Sequence, residues 1–136
     1  AGSTRAAGYT KRSMAMHMES SAQSTVIIAQ IEDAEALPHA QAIANTGGID
    51  GIFIGPVDLS ISMGEPSPGT PEVLKAMQSV ASAVESVGKA SGIFIASAAD
   101  LDRYAGMNLC FLLVRSEQSF MMMGADLACT EIRSRS

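Results

Sequence analysis

Four times along the chain a short, β-branched apolar run gives way to a segment with helical spacing, and that alternation restricts the fold more than any other feature. TVIIAQIE (25–32) has the length and composition of a strand buried on both faces. Ala36, Leu37, Ala40, Ile43 and Ala44 then recur at helical spacing, with Pro38 suited to a first turn and Gly47 to a stop. IDGIFIG (49–55) is the next strand. Val73, Leu74, Met77, Val80, Ala81, Val84 and Val87 mark one face of a helix between Thr70 and Gly88, with Thr70 as N-cap, Pro71 at the first position and Glu72 at the positive end of the dipole. GIFIAS (92–97), ADLDRYAG (99–106), LCFLLV (109–114) and a final helix over about 119–133 complete the series.

Successive strand-helix units imply a parallel sheet with right-handed crossovers and helices packed on it. Such units form either a small open sheet or half of an eight-fold barrel, and periodicity leaves both open. At 136 residues the chain is sized for one domain. Residues 25–136 read as that domain and residues 1–24, polar and rich in Ser and Met, as a lead-in segment and loop.

A net charge of −5 and the lack of a basic stripe argue against a nucleic-acid partner. No apolar run approaches the ~20 residues of a membrane span and no signal pattern opens the sequence, so a cytoplasmic location is expected and no membrane partner. Cys110 and Cys129 have neither metal-ligand spacing nor a disulfide framework and read as ordinary thiols.

In parallel α/β folds the ligand site lies beyond the carboxyl ends of the strands. Glu32 ends the first strand, and Asp58 follows the second through Gly55-Pro56-Val57, so neighbouring strands present carboxylates at one rim. Such a pair suits a hard divalent cation, which commonly takes one or two protein carboxylates and fills its shell with water and substrate oxygens. A structural reading stands beside it: Glu32 as a helix-start acid and Asp58 as a turn cap. Gln30 points to the same side as Glu32, where its amide meets a substrate oxygen or satisfies backbone. The Gly55-Pro56-Val57 turn can aim backbone N–H groups at an anion. His17 and His39 fall away from the rim, and no Ser-His-Asp, Cys-His or phosphate-loop arrangement occurs.

QIED (30–33), GIDGIFIGPVDLSISMG (48–64), PEVLKAM (71–77), GKASGIFIAS (88–97) and LCFLLV (109–114), in that order, resemble the C-terminal half of the HpcH/HpaI aldolases, metal-dependent class II enzymes that cleave 4-hydroxy-2-oxo acids to pyruvate and an aldehyde. The resemblance implies a (β/α)8 barrel whose strands five to eight are these four. It implies Glu32 and Asp58 as ligands of Mg²⁺, Mn²⁺ or Co²⁺, with the cation stabilising a pyruvate enolate. It further implies Gln30 beside the keto oxygen, the backbone N–H groups of Val57 and Asp58 on the carboxylate, the Ser3 region as a second contact to that carboxylate, and Phe94 lining the pocket. The family's histidine base and its arginine belong to the N-terminal half, so the catalytic residues are unassigned here. A 2-oxo acid is the expected ligand, and a homo-oligomer or a missing N-terminal half the expected protein partner.

The sequence departs from the family pattern after the last strand, where Val114-Arg115-Ser116-Glu117 stands in place of Val-Gly-x-Asp. Arg115 brings bulk and charge to a position where glycine allows close packing. Two other readings remain at this stage: a citrate-lyase β-like acyl-CoA lyase, and a non-catalytic half-barrel that serves in assembly.

Overall fold

The computed structural model describes residues 3–135. Four parallel strands form one sheet in the order β1-β2-β3-β4: Ile28–Ile31, Gly51–Ile54, Ala90–Ile95 and Phe111–Val114. Each strand lies beside the one the chain supplied before it, without the reversal that marks a doubly wound open sheet. This is the succession of a barrel wall. The alternation of segments thus yields a mixed α/β fold with a four-stranded parallel sheet, and the strand order matches a partial barrel.

Helices α1 (Met14–Ser24), α2 (Ala40–Ala44), α3 (Pro56–Ser62), α4 (Pro71–Ser86), α5 (Asp100–Arg103) and α6 (Glu117–Ser134) accompany the sheet, with a 3-10 turn over Ala34–His39 leading into α2. The core lies on one face. Ile31, Ile52, Ile54, Ile93 and Ile95 pack with Leu59 of α3, Val73, Met77, Val80 and Val84 of α4, and Ala40 and Ala44 of α2. Full burial of each such aliphatic side chain is worth about 1.5–3 kcal/mol, so α4 is the principal clamp on β2 and β3.

The ends of α4 follow its sequence. Pro71 occupies the first turn, and Gly88 at φ +70° closes the helix with Gly88 N–H on Glu85 O at 2.9 Å and Lys89 N–H on Val84 O at 3.2 Å. That pair of bonds is the Schellman arrangement, which needs a residue at ease in the left-handed region. Thr70 has N-cap backbone angles, yet its hydroxyl makes no capping bond and is buried without a partner.

Several expectations need correction. β1 is exposed along one face, with Ile28 and Gln30 open, because that face has no helix over it. β3 begins two residues before Gly92, since Ala90 and Ser91 pair with Gly51 and Ile52. The lead-in contains α1, whose N-cap Ser13 accepts from Met16 N–H at 3.3 Å. Neither α1 nor α6 buries a residue. Among the described residues no helix is long and apolar enough to cross a membrane. Cys110 and Cys129 are free thiols and both exposed, not tucked away as small apolar side chains.

Candidate active site

Side chains alternate across a strand, so the residues between the core isoleucines share the opposite face. Register sets Gln30 beside Phe53, Phe53 beside Gly92, and Gly92 beside Phe111. A Cβ at Gly92 would run into the Phe111 ring, so this glycine leaves room for Phe111 to lie across β3 and stack on Phe53, with ring centroids 6.4 Å apart. The result is an aromatic floor on the face away from the helices.

At the carboxyl ends of β1, β2 and β3 this floor meets a cavity of about 280 Å³, walled by Gln30, Phe53, Gly55, Pro56, Val57, Asp58 and Phe94. Glu32 stands at its edge, its Oε2 accepting a hydrogen bond from Gln30 Nε2. Gly55 lets that pair lie against the turn. A Cβ there would approach Glu32 Cβ and Oε2 to 2.9 Å and Gln30 Nε2 to 3.1 Å. Gly55 N–H continues the sheet by donating to Ile31 O at 3.0 Å, which ties the turn to the end of β1.

Pro56 then starts α3, and the first intrahelical bond is Leu59 N–H to Gly55 O at 3.0 Å. The Val57 and Asp58 amides precede it and have no acceptor within the helix. Leu59 and Ser60 anchor the helix inward, with Ser60 Oγ–H donating to Val57 O at 2.7 Å, and this leaves Val57 and Asp58 exposed at the cavity. Asp58 makes no cap through its carboxylate among the described residues, and Asp33, not Glu32, holds the following turn by accepting from Glu35 N–H at 2.9 Å.

Gln30, Glu32, Val57, Asp58 and Phe94 are thus brought to one cavity or its edge. Ser3 is exposed in the turns before α1 and is not part of this cavity wall. Gly55 and Phe53 belong to the site on equal terms with the residues singled out from sequence. The alternation of β2 carries the signal for Phe53, which shares a face with Gly55 and sits one pleat from the turn.

Among the described residues no group of three or more His, Cys, Asp or Glu side chains is placed to hold a metal ion. Asp58 on the cavity wall and Glu32 at its edge offer a two-carboxylate donor set, with Glu32 packed against Gly55 and Gln30. That set fits a hard cation with a mostly water and substrate shell, and does not fit an all-protein cage. A larger groove of about 680 Å³ runs at the other end of the sheet, between α1 and the amino ends of β1 and β2. Its Asp50 is engaged structurally, accepting from Ile27 N–H at 2.8 Å. Ligands of parallel α/β folds bind at the carboxyl ends of the strands, the end at which the cavity of Gln30, Asp58 and Phe94 lies.

A family model described as HpcH/HpaI aldolase/citrate lyase matches residues 3–111. A hydroxypyruvate/pyruvate aldolase of Pseudomonas aeruginosa is 34% identical over 122 residues, covering 89% of this chain and 46% of the relative. A 4-hydroxy-2-oxo-heptane-1,7-dioate aldolase of Salmonella paratyphi B is 37% identical over 101 residues, covering 74% of this chain and 38% of that one. The crystal structure of a HpcH/HpaI aldolase/citrate lyase family protein from Burkholderia cenocepacia superposes with a TM-score of 0.83 at 31% identity, over 98% of this chain and 51% of that chain. The chain therefore spans about half the length of these relatives.

Proposed function

Because the chain belongs to the HpcH/HpaI aldolase/citrate lyase family, we propose that it carries the metal and pyruvate side of a class II aldolase site that cleaves 4-hydroxy-2-oxo acids to pyruvate and an aldehyde. The observation that carries this reading is the meeting of Gln30, Val57, Asp58 and Phe94 in one cavity, with Glu32 hydrogen-bonded to Gln30 at its edge. Glu32 and Asp58 are the residues that hold Mg²⁺, Mn²⁺ or Co²⁺. Such a cation, when bound, supplies Lewis-acid withdrawal of charge from the 2-oxo group.

The chain's own residues bind and orient. Gln30 spends one amide N–H on Glu32, fixing the carboxylate, and has a second to donate to a substrate oxygen. The Val57 and Asp58 amides, lacking helical acceptors, donate to the 2-oxo acid's carboxylate. Phe53 and Phe94 exclude water beside the reacting carbons, which strengthens every polar contact there. A proton-transferring base and a cationic partner come from outside these residues, contributed by a preceding half or a second copy that pairs with the free edges of β1 and β4. The aldolase relatives, at 34% and 37% identity, favour this reading over the citrate-lyase-like alternative, citrate lyase being the other activity in the family description.

The test is a chimera in which this chain replaces the corresponding half of the Pseudomonas aeruginosa aldolase. Metal-dependent release of pyruvate from a 4-hydroxy-2-oxo acid, lowered at least about 100-fold by Glu32→Gln, is expected for a ligand of the activating cation. A folded chimera whose activity is indifferent to Glu32→Gln would sink the proposal.

A further inference from the structure

A serine inside a helix commonly turns its hydroxyl back onto the preceding turn. Ser60 does so, donating to Val57 O at 2.7 Å, and so does Ser86, donating to Ala83 O at 2.7 Å. Ser62, the last residue of α3, reaches instead across to the segment that follows β1. Its Oγ accepts from Ala34 N–H at 2.9 Å and donates to Asp33 Oδ1 at 3.1 Å. We propose that Ser62 is a positioning residue for the carboxylate pair, fixing where Glu32 stands relative to Asp58. The inference rests on the reading that Glu32 and Asp58 hold the cation.

Three observations carry it. The first is where the bonds fall. Gly55 N–H donates to Ile31 O at 3.0 Å just before α3, and Ser62 holds Asp33 and Ala34 at its end. Glu32 therefore lies between two fastened points on its segment, and Asp58 between the same two ties on the other. α3, anchored in the core by Leu59, spans the distance between them. The second is that sheet pairing stops short of Glu32. The last registered pair of β1 and β2 is Ile31 with Ile54, so the ladder leaves the residue after it to be held by other bonds.

The third is the chemistry of the bridge. A hydroxyl donates and accepts at one atom, and Ser62 uses both capacities at once. Its acceptor, Asp33 Oδ1, also takes Glu35 N–H at 2.9 Å, so the oxygen that caps the 3-10 turn is the one fastened to α3. A bond to a carboxylate is charge-assisted and the stronger for it. Ser62 and Asp33 are themselves exposed, so removing the bridge leaves the core of Ile31, Ile54 and Leu59 in place.

The test is Mn²⁺ binding to the folded chain, measured by electron paramagnetic resonance for the wild type and four variants. Ser62→Ala loses both bonds and should bind at least about tenfold more weakly, the lower end of the range for groups that orient metal ligands. Ser62→Thr keeps the hydroxyl and should restore affinity to within about threefold, and Asp33→Asn, which keeps an acceptor oxygen, should do the same. Ser91→Ala removes a side-chain bond near the amino end of β3, Ser91 Oγ–H to Asn108 O at 3.0 Å, and should leave Mn²⁺ affinity unchanged. If Ser62→Ala does not fold, Ser62→Cys replaces it, since a thiol is a weak donor and a weak acceptor, and weaker binding is again expected. Wild-type affinity in Ser62→Ala, or an equal loss in Ser91→Ala, overturns the positioning role and leaves the metal reading standing. Loss of binding in Asp33→Asn also overturns it, because the Asp33 charge would then act on the cation directly. A folded wild type that binds no Mn²⁺ overturns the metal reading and the positioning role with it.

Discussion

Gly55→Ala isolates the steric part of the site. Gly55 has φ −93° and ψ 92°, angles open to alanine, so the substitution carries no left-handed backbone penalty. Its new methyl would stand 2.9 Å from Glu32 Cβ, 2.9 Å from Glu32 Oε2 and 3.1 Å from Gln30 Nε2. Carbon atoms prefer about 3.5–4.0 Å, so the Glu32 Cβ contact is closer by roughly 0.6–1.1 Å, and Cβ cannot swing away as a side-chain tip can. The end of β1 must then move with the Glu32–Gln30 pair. Overpacking of this kind costs about 1–3 kcal/mol. For a chain of this size each kcal/mol lowers the melting temperature by about 3–6 °C. Thermal melts followed by circular dichroism should therefore show a fall of about 3–18 °C, and Mn²⁺ titration of the folded variant at least tenfold weaker binding. A variant with wild-type melting temperature and wild-type Mn²⁺ affinity would refute the claim that the missing Cβ of Gly55 is what lets the Glu32–Gln30 pair take its place at the site.

Three further expectations follow from other parts of the molecule. Asp100 has its pKa held below the ordinary carboxylate value by the Ser97 backbone N–H first, then by the Ala96 N–H and the Arg103 charge, against an opposing desolvation effect. Its contribution to stability is complete above the unfolded pKa and is lost as pH falls through the lower folded one, so melting temperature should fall less steeply below about pH 4 in Asp100→Asn than in the wild type. Arg115 sits at φ +58°, where an L-residue pays roughly 1–2 kcal/mol and glycine's extra unfolded-state freedom takes back about 0.5–1. Urea melts of Arg115→Gly should show equal or up to about 1 kcal/mol greater stability; a clear loss would mean that the 2.6 Å contact of Arg115 Nη1 with Met123 Sδ outweighs the strain. Met77 is fully buried and Met122 is 63% exposed, so chemical denaturation should show Met77→Ala costing about 2–5 kcal/mol and Met122→Gln under about 0.5.

What could be read before the structure was known, and what could not, separates along physical lines. α4 was fully legible because its apolar stripe, Pro71 and Gly88 all point to the same element. The strands were legible in kind and order, but their limits are set by pairing: β3 reaches back to Ala90 only because Gly51 lies alongside. The choice between open sheet and barrel wall was hidden, since it depends on which strands are neighbours and not on any local pattern. α1 is poorly legible because it buries no residue, so only Met14, Met18 and Ala22 on one side and the Ser13 cap mark it locally. At the site, Glu32, Asp58 and Gln30 could be placed at a common rim from strand ends alone. The roles of Gly55 and Gly92 could not, because a glycine that makes room is recognised only by what its missing Cβ would strike.

The most direct test of the account is Mn²⁺ binding to the purified, folded chain, measured by electron paramagnetic resonance with and without pyruvate, beside Asp58→Asn. The carboxylate of Asp58 is exposed and makes no hydrogen bond among the described residues, so this variant should fold with stability within about 0.5 kcal/mol of the wild type. Binding that strengthens when pyruvate is added and disappears in Asp58→Asn is the expected result. Mn²⁺ affinity that is unchanged by both pyruvate and the substitution would contradict the account, because the cation would then be held somewhere other than the cavity beyond β1 and β2.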